Sequence, residues 1–490
     1  VTYFAFPKTL SRLPLYSLPP EGSLASLVQL VRSGLAAGNV GDLYDNRDDG
    51  HSSLRFDPRQ PTQLTHIRYA PEARQAGIHY GLNTSILFDA IVLGNSSTAL
   101  KGPNWRSQAR FALTAADGPG RLWQLYANNH IYVFPGVTDF ATEASGWKGD
   151  VFPAYTPYVV VSDGASGSDR PFLEAIQAIL AAFRPETKAF LKERKLVAPA
   201  VQQILRRSQR IAPDRDAYMG PAAHPVVFRA DRLDLAAAIG AANSMKADRV
   251  PPMATIRMLE EPHLASGVSF FADGLNEAQF DTPSAVARAW RGVEPVRRYV
   301  LAAAAEDPNG RPVKFHWRIL RGDPSAIRIK PREVDGSVAE VIVAWQERAP
   351  TPERPDVPSH RVDIAAFADN GAYLSAPAVF SLAFPSHQRR VYAKGPGGMR
   401  IESIDYRPMR PQLYADPLLW PLRDWRDDYA YDGAGKLVGW SRTRKSLVTR
   451  FRADGQRLIE NGRTVKVAYP LKQRTNPHIR NLYVEEQVVQ

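Results

Sequence analysis

Hydrophobic periodicity divides the chain into a first part with helices and strands and a second part dominated by strands. Before residue 263, apolar positions at helical spacing predict helices over 172–192, 198–210 and 233–245. The apolar runs SILFDAIVLG and HIYVFPG predict strands in the same part. This mixture predicts an N-terminal α+β domain.

From residue 297 onward the pattern changes to short strands separated by turn signals. The turns DPNG, RGDPS and VDGS separate apolar runs such as VKFHWRIL and VAEVIVAW. Regular strand and turn spacing over roughly 90 residues is what a β-sandwich requires. Trp317 falls where the second core strand is expected. Its ring can fill the space between the two sheets where a disulfide would otherwise link them.

Two stretches of this second part, AAAEDPNGRPVKFHWRI and VDIAAFADNGAYLSAPAVFSLAF, resemble the PKD and cadherin-like Ig-fold modules of bacterial extracellular proteins. Their DPNG and ADNG turns match the pattern of those modules, whereas residues 317–323 replace the WDFGDG run of the PKD type. The resemblance implies an extracellular protein whose sandwich is a spacer, a glycan-contact module or an adhesion surface. It does not identify any chemistry.

The last hundred residues contain two similar units at an offset of 20 residues, YDGAGKLV at 431–438 and FRADGQRL at 451–458. They resemble YD-type hairpin repeats of bacterial surface proteins and predict β-hairpins packed on the sandwich. The predicted fold class is multidomain α+β: a mixed α/β domain over 1–262, a linker over 263–289, an Ig-like β-sandwich over 290–388 and a β-rich C-terminal extension over 389–490.

Composition narrows the class of protein. Hydrophobic residues make up 44% and charged residues 23%, which is typical of a globular protein. The absence of cysteine excludes disulfides, thiolate metal sites and a cysteine nucleophile. Because many extracytoplasmic bacterial proteins avoid thiols, we expect a periplasmic or secreted location, with a leader that was removed or is not present ahead of Val1.

The net charge of +12 is concentrated near the C-terminus. Residues 441–480 contain eleven Lys or Arg against Asp454 and Glu460, a net +9. Such a segment attracts polyanions, and we expect an anionic polymer or glycan as partner rather than nucleic acid. The alternative is a solvated basic face that only aids solubility.

The stretch GDLYDNRDDGHSSL at 41–54 gathers acidic residues in an otherwise basic chain. It is not an EF-hand, because Arg47 and Phe56 occupy ligand positions. A looser Ca²⁺ site and acid-base catalysis both remain open, since close carboxylates raise one another's pKa; a solvated Asp-Asp-Gly turn is the alternative. The candidate catalytic residues here are Asp45, Asp48, Asp49 and His51, with Asp45 and Asp49 also as metal ligands.

A second candidate is VVVSDGASGSDRPFLEAI at 159–176, in which a strand, a small-residue loop and a helix follow one another. The loop and the helix N-terminus present backbone N–H groups to an anion or an oxyanion. Ser166 and Ser168 are therefore candidate catalytic residues, with Asp163, Asp169 and Arg170 as substrate-binding residues. A capped turn with purely structural glycines is the alternative.

Asn95, Ser96 and His130 complete the predicted substrate-binding set, and His224 is a further candidate pocket residue. Familiar nucleotide, zincin and esterase signatures are absent from the sequence. We therefore expect a secreted or periplasmic hydrolase-like protein in which segments 41–54 and 159–171 converge on one cleft. The rival is a non-catalytic surface or matrix protein in which these segments are turns.

Overall fold

The structure, a computed structural model, has 31 short strands, eight α-helices and four 3₁₀ turns within the residues it describes. Those residues are 4–5, 42–48, 52, 54, 64–81, 86–96, 99–100, 106–136, 152–265, 267–269, 276–351, 358–385, 388–407, 423–476 and 479–489. Within these ranges, no helix is long and apolar enough to cross a membrane.

The N-terminal part is built on a parallel five-stranded sheet in the order β3-β2-β5-β8-β9. Two small antiparallel pairs, β1 with β4 and β6 with β7, lie beside it. The strands are β1 Phe4–Ala5, β2 Asp42–Arg47, β3 Leu64–His66, β4 Arg68–Tyr69, β5 Val92–Ser96, β6 Ala99–Leu100, β7 Arg106–Ser107, β8 His130–Pro135 and β9 Val159–Ser162.

Helices cover this sheet. They are α1 Pro71–Gln75, α2 Gln108–Thr114, α3 Gly118–Tyr126, α4 Arg170–Ala182, α5 Pro185–Glu193, α6 Val197–Arg207, α7 Arg215–Met219 and α8 Leu235–Ser244, with 3₁₀ turns at Pro221–Ala223 and Ala230–Arg232. Every residue of β5, β8 and β9 is buried, so these strands show no polar alternation. That pattern is typical of a parallel sheet covered on both faces.

The helix predicted over 172–192 is two helices. α4 ends at Ala182 and α5 starts at Pro185, which has no backbone N–H to continue a helix. The preceding residue, Arg184, has the extended conformation that a following proline imposes. The strand predicted from SILFDAIVLG is shorter than expected and occupies only Val92–Ser96.

Two sheets sharing one hydrophobic core form a β-sandwich after the parallel domain. One sheet has the order β10-β13-β16-β15 and the other β11-β12-β20-β19-β14, in which β12 and β20 are parallel. The strands are β10 Thr255–Glu260, β11 Ala278–Thr282, β12 Ala285–Ala289, β13 Val296–Ala304, β14 Lys314–Arg321, β15 Ile327–Pro331, β16 Val338–Ala344, β19 Arg361–Asp369 and β20 Ala378–Ala383, with the small pair β17 Ala349–Pro350 and β18 Pro358–Ser359 and a 3₁₀ turn at Pro324–Ala326.

Burial patterns show which sandwich sheet faces solvent. β16 alternates between buried and half-buried residues, as expected for a strand with one solvated face. β20 is buried at every position, because its sheet also packs on the parallel domain. Trp317 lies in the sandwich core as predicted from its position. The segment 263–289 was expected to be a linker, but it contributes β11 and β12 to the five-stranded sheet of the sandwich.

The C-terminal part is a seven-stranded antiparallel meander followed by one hairpin and a short antiparallel pair that encloses it. Its core contains Trp425, Tyr429, Trp440 and Phe451. The strands are β21 Arg389–Gly395, β22 Gly398–Asp405, β23 Arg426–Tyr431, β24 Leu437–Arg444, β25 Leu447–Arg452, β26 Arg457–Leu458, β27 Thr464–Val465, β28 Val467–Ala468, β29 Leu471–Asn476, β30 Ile479–Val484 and β31 Gln487–Val488, with a 3₁₀ turn at Glu460–Gly462.

Part of the positive charge of residues 441–480 is neutralised by ion pairs with acidic residues of the same chain. Arg442 is buried, stacks 4.2 Å from the Trp425 ring and makes a two-pronged ion pair with Asp427 at 2.8 and 2.9 Å. Further pairs join Arg444 to Asp424, Arg457 to Glu486 and Lys472 to Glu485. The count of +9 missed these partners because they lie outside residues 441–480.

Candidate functional site

The order of the parallel strands points to one edge of the sheet. Numbered along the chain, the five strands lie in the order second, first, third, fourth, fifth. The chain therefore adds β3 on one side of β2 and all later strands of the sheet on the other side. The strand order changes direction between β2 and β5, which are the first and third strands. In open parallel sheets, ligands bind outside the carboxyl ends of the strands at this switch point.

Polar side chains gather at that position. Asp48 directly follows β2, Asn95 and Ser96 end β5, and Asp169 precedes α4. Asn95 Nδ2 donates to Asp169 Oδ2 at 3.3 Å and to the Ser52 carbonyl at 3.5 Å. The Gly167 N–H donates to Ser52 Oγ at 2.7 Å. The structure thus brings the 41–54 and 159–171 segments into direct contact around Asn95.

Asp169 is a fully buried carboxyl group, with 0% of its surface exposed. Its side chain makes no capping hydrogen bond to α4, although it is the N-cap residue. Burial raises the pKa of Asp169, and the hydrogen bonds from Ser52 and Asn95 offset this only in part. A carboxyl group whose proton is held more tightly than usual is suited to act as a general acid.

Tyr44 of β2 lies close to the same group of carboxylates. Burial raises its pKa above the usual value, and the negative charges of Asp169, Asp48 and Asp45 raise it further. Asp48 is itself buried, with 1% of its surface exposed. The switch point therefore holds two buried carboxyl groups, Asp48 and Asp169, within electrostatic reach of one phenol.

Several oxygen atoms at this site lack a hydrogen bond. Asn95 Oδ1, Ser96 Oγ and Asp169 Oδ1 have no hydrogen-bond partner among the residues that the structure describes. A buried polar atom without a partner costs about 1–3 kcal/mol, so such atoms are rare unless a ligand or water satisfies them. All three can accept a hydrogen bond, which suits a ligand rich in hydroxyl donors.

Asp45 lies on the other face of the sheet. Asp45, Gly94 and Tyr132 occupy one row across β2, β5 and β8, while Asn95 is in the next row and points the opposite way. Asp45 accepts hydrogen bonds from the Tyr132 and Tyr69 hydroxyls and from Arg47 Nε, the last at 2.9 Å. Its expected catalytic and metal-binding roles do not fit this position, because both carboxylate oxygens already have internal donors.

Gly94 makes the Asp45 contact possible. A Cβ atom on Gly94 would lie 2.4 Å from the ring of Tyr132, so the phenol crosses the middle strand directly over the glycine. Burial raises the pKa of Tyr132 well above its usual value despite the nearby Arg47 guanidinium. The phenol therefore remains a protonated donor to Asp45, and the network fixes three strands below the switch point.

The predicted site residues in the loop after β9 differ in their exposure and in their hydrogen-bond partners. Ser166 is exposed, whereas Ser168 is half-buried and its Oγ lies 2.8 Å from Ser162 Oγ. Asp163 is half-buried, and its N–H donates to the Phe228 carbonyl. Arg170 is the half-buried first residue of α4. Neither serine has a basic side chain hydrogen-bonded to it within the described ranges, so a nucleophilic role for them gains no support here.

His130 and His224 are packed histidines. His130 is the first residue of β8, at the amino end of the sheet and three positions before the partner of Asn95, about 10 Å away along the strand. Its Nε2 accepts from the Phe88 N–H at 3.0 Å while Nδ1 lies 2.6 Å from the Asn128 carbonyl, and burial lowers its pKa to about 4. His224 is buried beside Tyr218. Neither joins the switch-point group.

Two predicted residues, Asp49 and His51, lie outside the described residues. Among those that the structure does describe, no group of three or more His, Cys, Asp or Glu is placed to hold a metal ion. Asp42, also in the acidic stretch, pairs with Lys188 at 2.5 Å at the amino end of β2. The acidic stretch is thus divided between structural ion pairs and the switch point.

Sequence reasoning missed Ser52, Tyr44 and the Arg47–Tyr132 network as parts of this region. Ser52 stands in the acidic stretch, but nothing in its neighbours distinguishes it from Ser53. The strand order that brings Asn95 next to Asp169 depends on pairing between distant segments. A polar Asn-Ser pair at the end of an apolar run was the signal available for β5, and it placed Asn95 and Ser96 in the predicted substrate-binding set.

No protein-family model matches the chain, and no curated protein matches it. Among solved structures, one of tandem Ig repeats of Dlar shows 13% identity and a TM-score of 0.14 over 32% of this chain and 86% of that chain. A nucleoside hydrolase-related hypothetical protein from Saccharophagus degradans, associated with carbohydrate metabolism, shows 9% identity and a TM-score of 0.20 over 60% of this chain and 62% of that chain. Both likenesses are weak, and neither assigns a function to this chain. The PKD-like and YD-type resemblances stay predictions.

Proposed function

We propose that the parallel domain is a hydrolase-like domain that binds a carbohydrate at the switch point between β2 and β5. The observation that carries this proposal is the buried Asn95–Asp169 pair, next to acceptor atoms that no described residue satisfies. Sugar hydroxyls are donors that can satisfy Asn95 Oδ1 and Ser96 Oγ. A neutral, hydroxyl-rich ligand also avoids placing a second negative charge beside Asp48 and Asp169.

The chemistry proposed for Asp169 follows from its environment. A buried carboxyl group with a raised pKa can donate its proton to the oxygen that leaves when a glycosidic bond breaks. A second carboxylate is then needed to activate water or to stabilise the positive charge that develops on the sugar ring. Asp48 is buried at the same strand end and is assigned this part. Water adds its hydroxyl group to the sugar and passes its other proton to Asp48; proton exchange with solvent then returns Asp48 to the carboxylate and Asp169 to the acid.

The surroundings of the domain support an extracytoplasmic polymer as substrate or partner. Within residues 441–480, five basic residues are exposed and make no ion pair with a described acidic residue: Lys445, Arg450, Arg452, Arg463 and Lys466. These charges are available to attract an anionic glycan. Together with the lack of cysteine, they support a secreted or periplasmic protein held near its polymer.

One observation favours the alternative of a non-catalytic surface or matrix protein. Asn95, Ser96 and Asp169 each have 0% of their surface exposed, so a ligand reaches them only if the structure around them opens. A protein that merely binds a polymer through its β-rich parts needs no such opening. In that case the hydrogen bond between Asn95 and Asp169 would serve only to hold β5 against the loop before α4.

A binding experiment separates the two functions. The wild type is titrated with neutral mono- and disaccharides while its melting temperature is followed, because a ligand that binds the folded state raises that temperature. We expect saturable stabilisation that Asn95→Ala removes. Ser166→Ala, at an exposed serine of the adjacent loop, is the matched control and should keep it. Equal loss in both variants, or no sugar that stabilises the wild type, would favour the non-catalytic alternative.

A further inference from the structure

A cavity lies between the helices of the parallel domain and the β-sandwich. It has a volume of about 280 Å³. Its walls come from α6, α7, α8 and the residue that follows α8, and from the turn between β19 and β20: Gln203, Arg207, Arg215, Tyr218, Ala241, Ser244, Met245, Ala372, Tyr373 and Leu374. None of these residues belongs to the switch-point group. Interfaces between domains are a common place for small-molecule sites.

Two guanidinium groups are fixed at this cavity by internal partners. Arg207 donates to the carbonyls of Ala212 and Pro213, the latter at 3.0 Å. Arg215 pairs with Asp369 of the sandwich. Asp369 offsets one of the two positive charges, and none of the ten lining residues is acidic. The wall of the cavity therefore keeps a net positive charge, carried by guanidinium groups whose positions are held before any ligand binds.

An amide group adds a polar contact. Gln203 has only 6% of its surface exposed, yet its side chain makes no hydrogen bond to any residue that the structure describes. This side chain lines the cavity, so its amide can donate to and accept from a ligand there. Apart from Ser244, the other lining residues are apolar or aromatic, among them Tyr218, Met245 and Leu374. A ligand that fits this cavity would pair with the guanidinium groups and pack against the apolar and aromatic side chains.

We propose that this cavity binds a small organic carboxylate with a compact ring or apolar body. A carboxylate matches the planar donor pattern of arginine, and its bonds to guanidinium are charge-assisted. An inorganic anion would satisfy the charge but would leave the apolar walls without contacts. The cavity volume suits one six-membered ring bearing a carboxylate, such as a sugar acid or an aromatic acid. This site is independent of the function proposed for the switch point.

Occupation of the cavity would link two parts of the molecule. Gln203 and Arg207 belong to the parallel domain, while Ala372, Tyr373 and Leu374 belong to the sandwich. A ligand that contacts both binds only when the interface is formed. Binding should therefore raise the melting temperature, in proportion to the logarithm of ligand concentration above the dissociation constant.

Isothermal titration of the full chain tests the proposal with two matched pairs of probes, D-glucuronate against D-glucose and benzoate against benzyl alcohol. We expect at least one carboxylate to bind saturably and its neutral counterpart to bind at least tenfold more weakly. Arg207→Gln should weaken that binding at least tenfold. Arg210→Gln, at an exposed arginine just after α6, is the matched control and should bind like the wild type.

A second variant keeps the test independent of the arginines. Ala241→Leu fills part of the cavity with apolar volume and leaves both guanidinium groups in place, so it should also abolish carboxylate binding. Circular dichroism verifies that each variant is folded. The proposal is overturned if neither carboxylate binds the wild type, if neutral probes bind equally well, or if Ala241→Leu binds like the wild type. Preference for glucuronate over benzoate, or the reverse, identifies the source of the carboxylate.

Discussion

Asn95 Nδ2 lies 3.3 Å from Asp169 Oδ2, although 74 residues separate them in the chain. The contact joins the end of β5 to the residue that precedes α4. Because Asn95 is an amide, it can stabilise the carboxylate as a donor while its own oxygen stays available to a ligand. This pair is the centre of the candidate site.

Asn95→Ala should destabilise the protein by about 1–3 kcal/mol, because Asp169 would lose its amide donor in a buried position. Urea unfolding followed by fluorescence measures the change. Ser166→Ala, an exposed change in the neighbouring loop, should stay within about 0.5 kcal/mol of the wild type. A neutral effect of Asn95→Ala would mean that the contact contributes little to the folded state.

Gly94→Ala should be strongly destabilising, by about 2 kcal/mol or more, because its Cβ would fall 2.4 Å from the Tyr132 ring and force that ring away from Asp45. Gly120→Ala is the matched control. Gly120 lies inside α3, and a Cβ there meets no atom within 4 Å. It should stabilise the protein by about 0.5–1 kcal/mol. Similar unfolding midpoints for the two variants would contradict the packing described for Tyr132.

His130 should contribute to loss of stability in acid. Its pKa falls from about 6.5 in an unfolded chain to about 4 in the folded protein, because burial disfavours its charged form. Its contribution is therefore present above pH 6.5 and lost as pH falls through about 4. His130→Gln should lose less stability than the wild type over this window, by up to about 3 kcal/mol. Denaturant titrations between pH 7 and 4 measure the difference.

The control for this experiment is His263→Gln, at an exposed histidine. It should follow the wild-type pH dependence. Buried His224 and His360 also have lowered pKa values, so the wild type should lose stability more steeply than His130 alone explains. Identical pH dependence of His130→Gln and the wild type would contradict the neutral, hydrogen-bonded state assigned to His130.

The basic face of the C-terminal meander should give salt-sensitive binding to an acidic glycan. The double change Arg450→Glu and Arg452→Glu reverses two exposed charges on one face of β25, since the two residues lie two positions apart in that strand. We expect earlier elution from an anionic glycan column at low ionic strength, and a smaller dependence on salt. Arg328→Glu, at an exposed arginine of the sandwich, is the single-charge control. Unchanged elution of the double variant would exclude this face as the contact.

Much of the fold could be predicted from local pattern, and the exceptions have physical causes. Apolar runs located β5, β8 and β9, and strand and turn spacing located the sandwich region. Pro185 indicated a break between two helices, but the apolar positions keep helical spacing on both sides of it. The pattern therefore predicted one helix where the structure has two. β11 and β12 were missed because the pairing of β12 with β20 is parallel and spans about ninety residues, which no local signal reports.

The sequence predicted the candidate site as two segments, 41–54 and 159–171, that converge on one cleft. The acidic cluster pointed to Asp48, the end of an apolar run to Asn95, and the loop before a predicted helix to Asp169; the structure brings Asn95 and Asp169 together. Asp45 has the same chemistry in sequence as Asp48, but the alternation of a strand turns it to the other face, where Tyr69 and Tyr132 bind it. Which carboxylate faces a ligand depends on register, and register depends on pairing with distant strands.

The most direct test of the central proposal compares leaving groups in the wild type and in Asp169→Asn. A general acid matters most when the departing oxygen is strongly basic, as in an alkyl or sugar glycoside, and least for a p-nitrophenyl leaving group. If Asp169 donates the proton, the variant should lose about 10²–10⁴-fold in kcat on the former and much less on the latter. Equal losses on both substrates, or hydrolysis by the variant at the wild-type rate, would contradict the account.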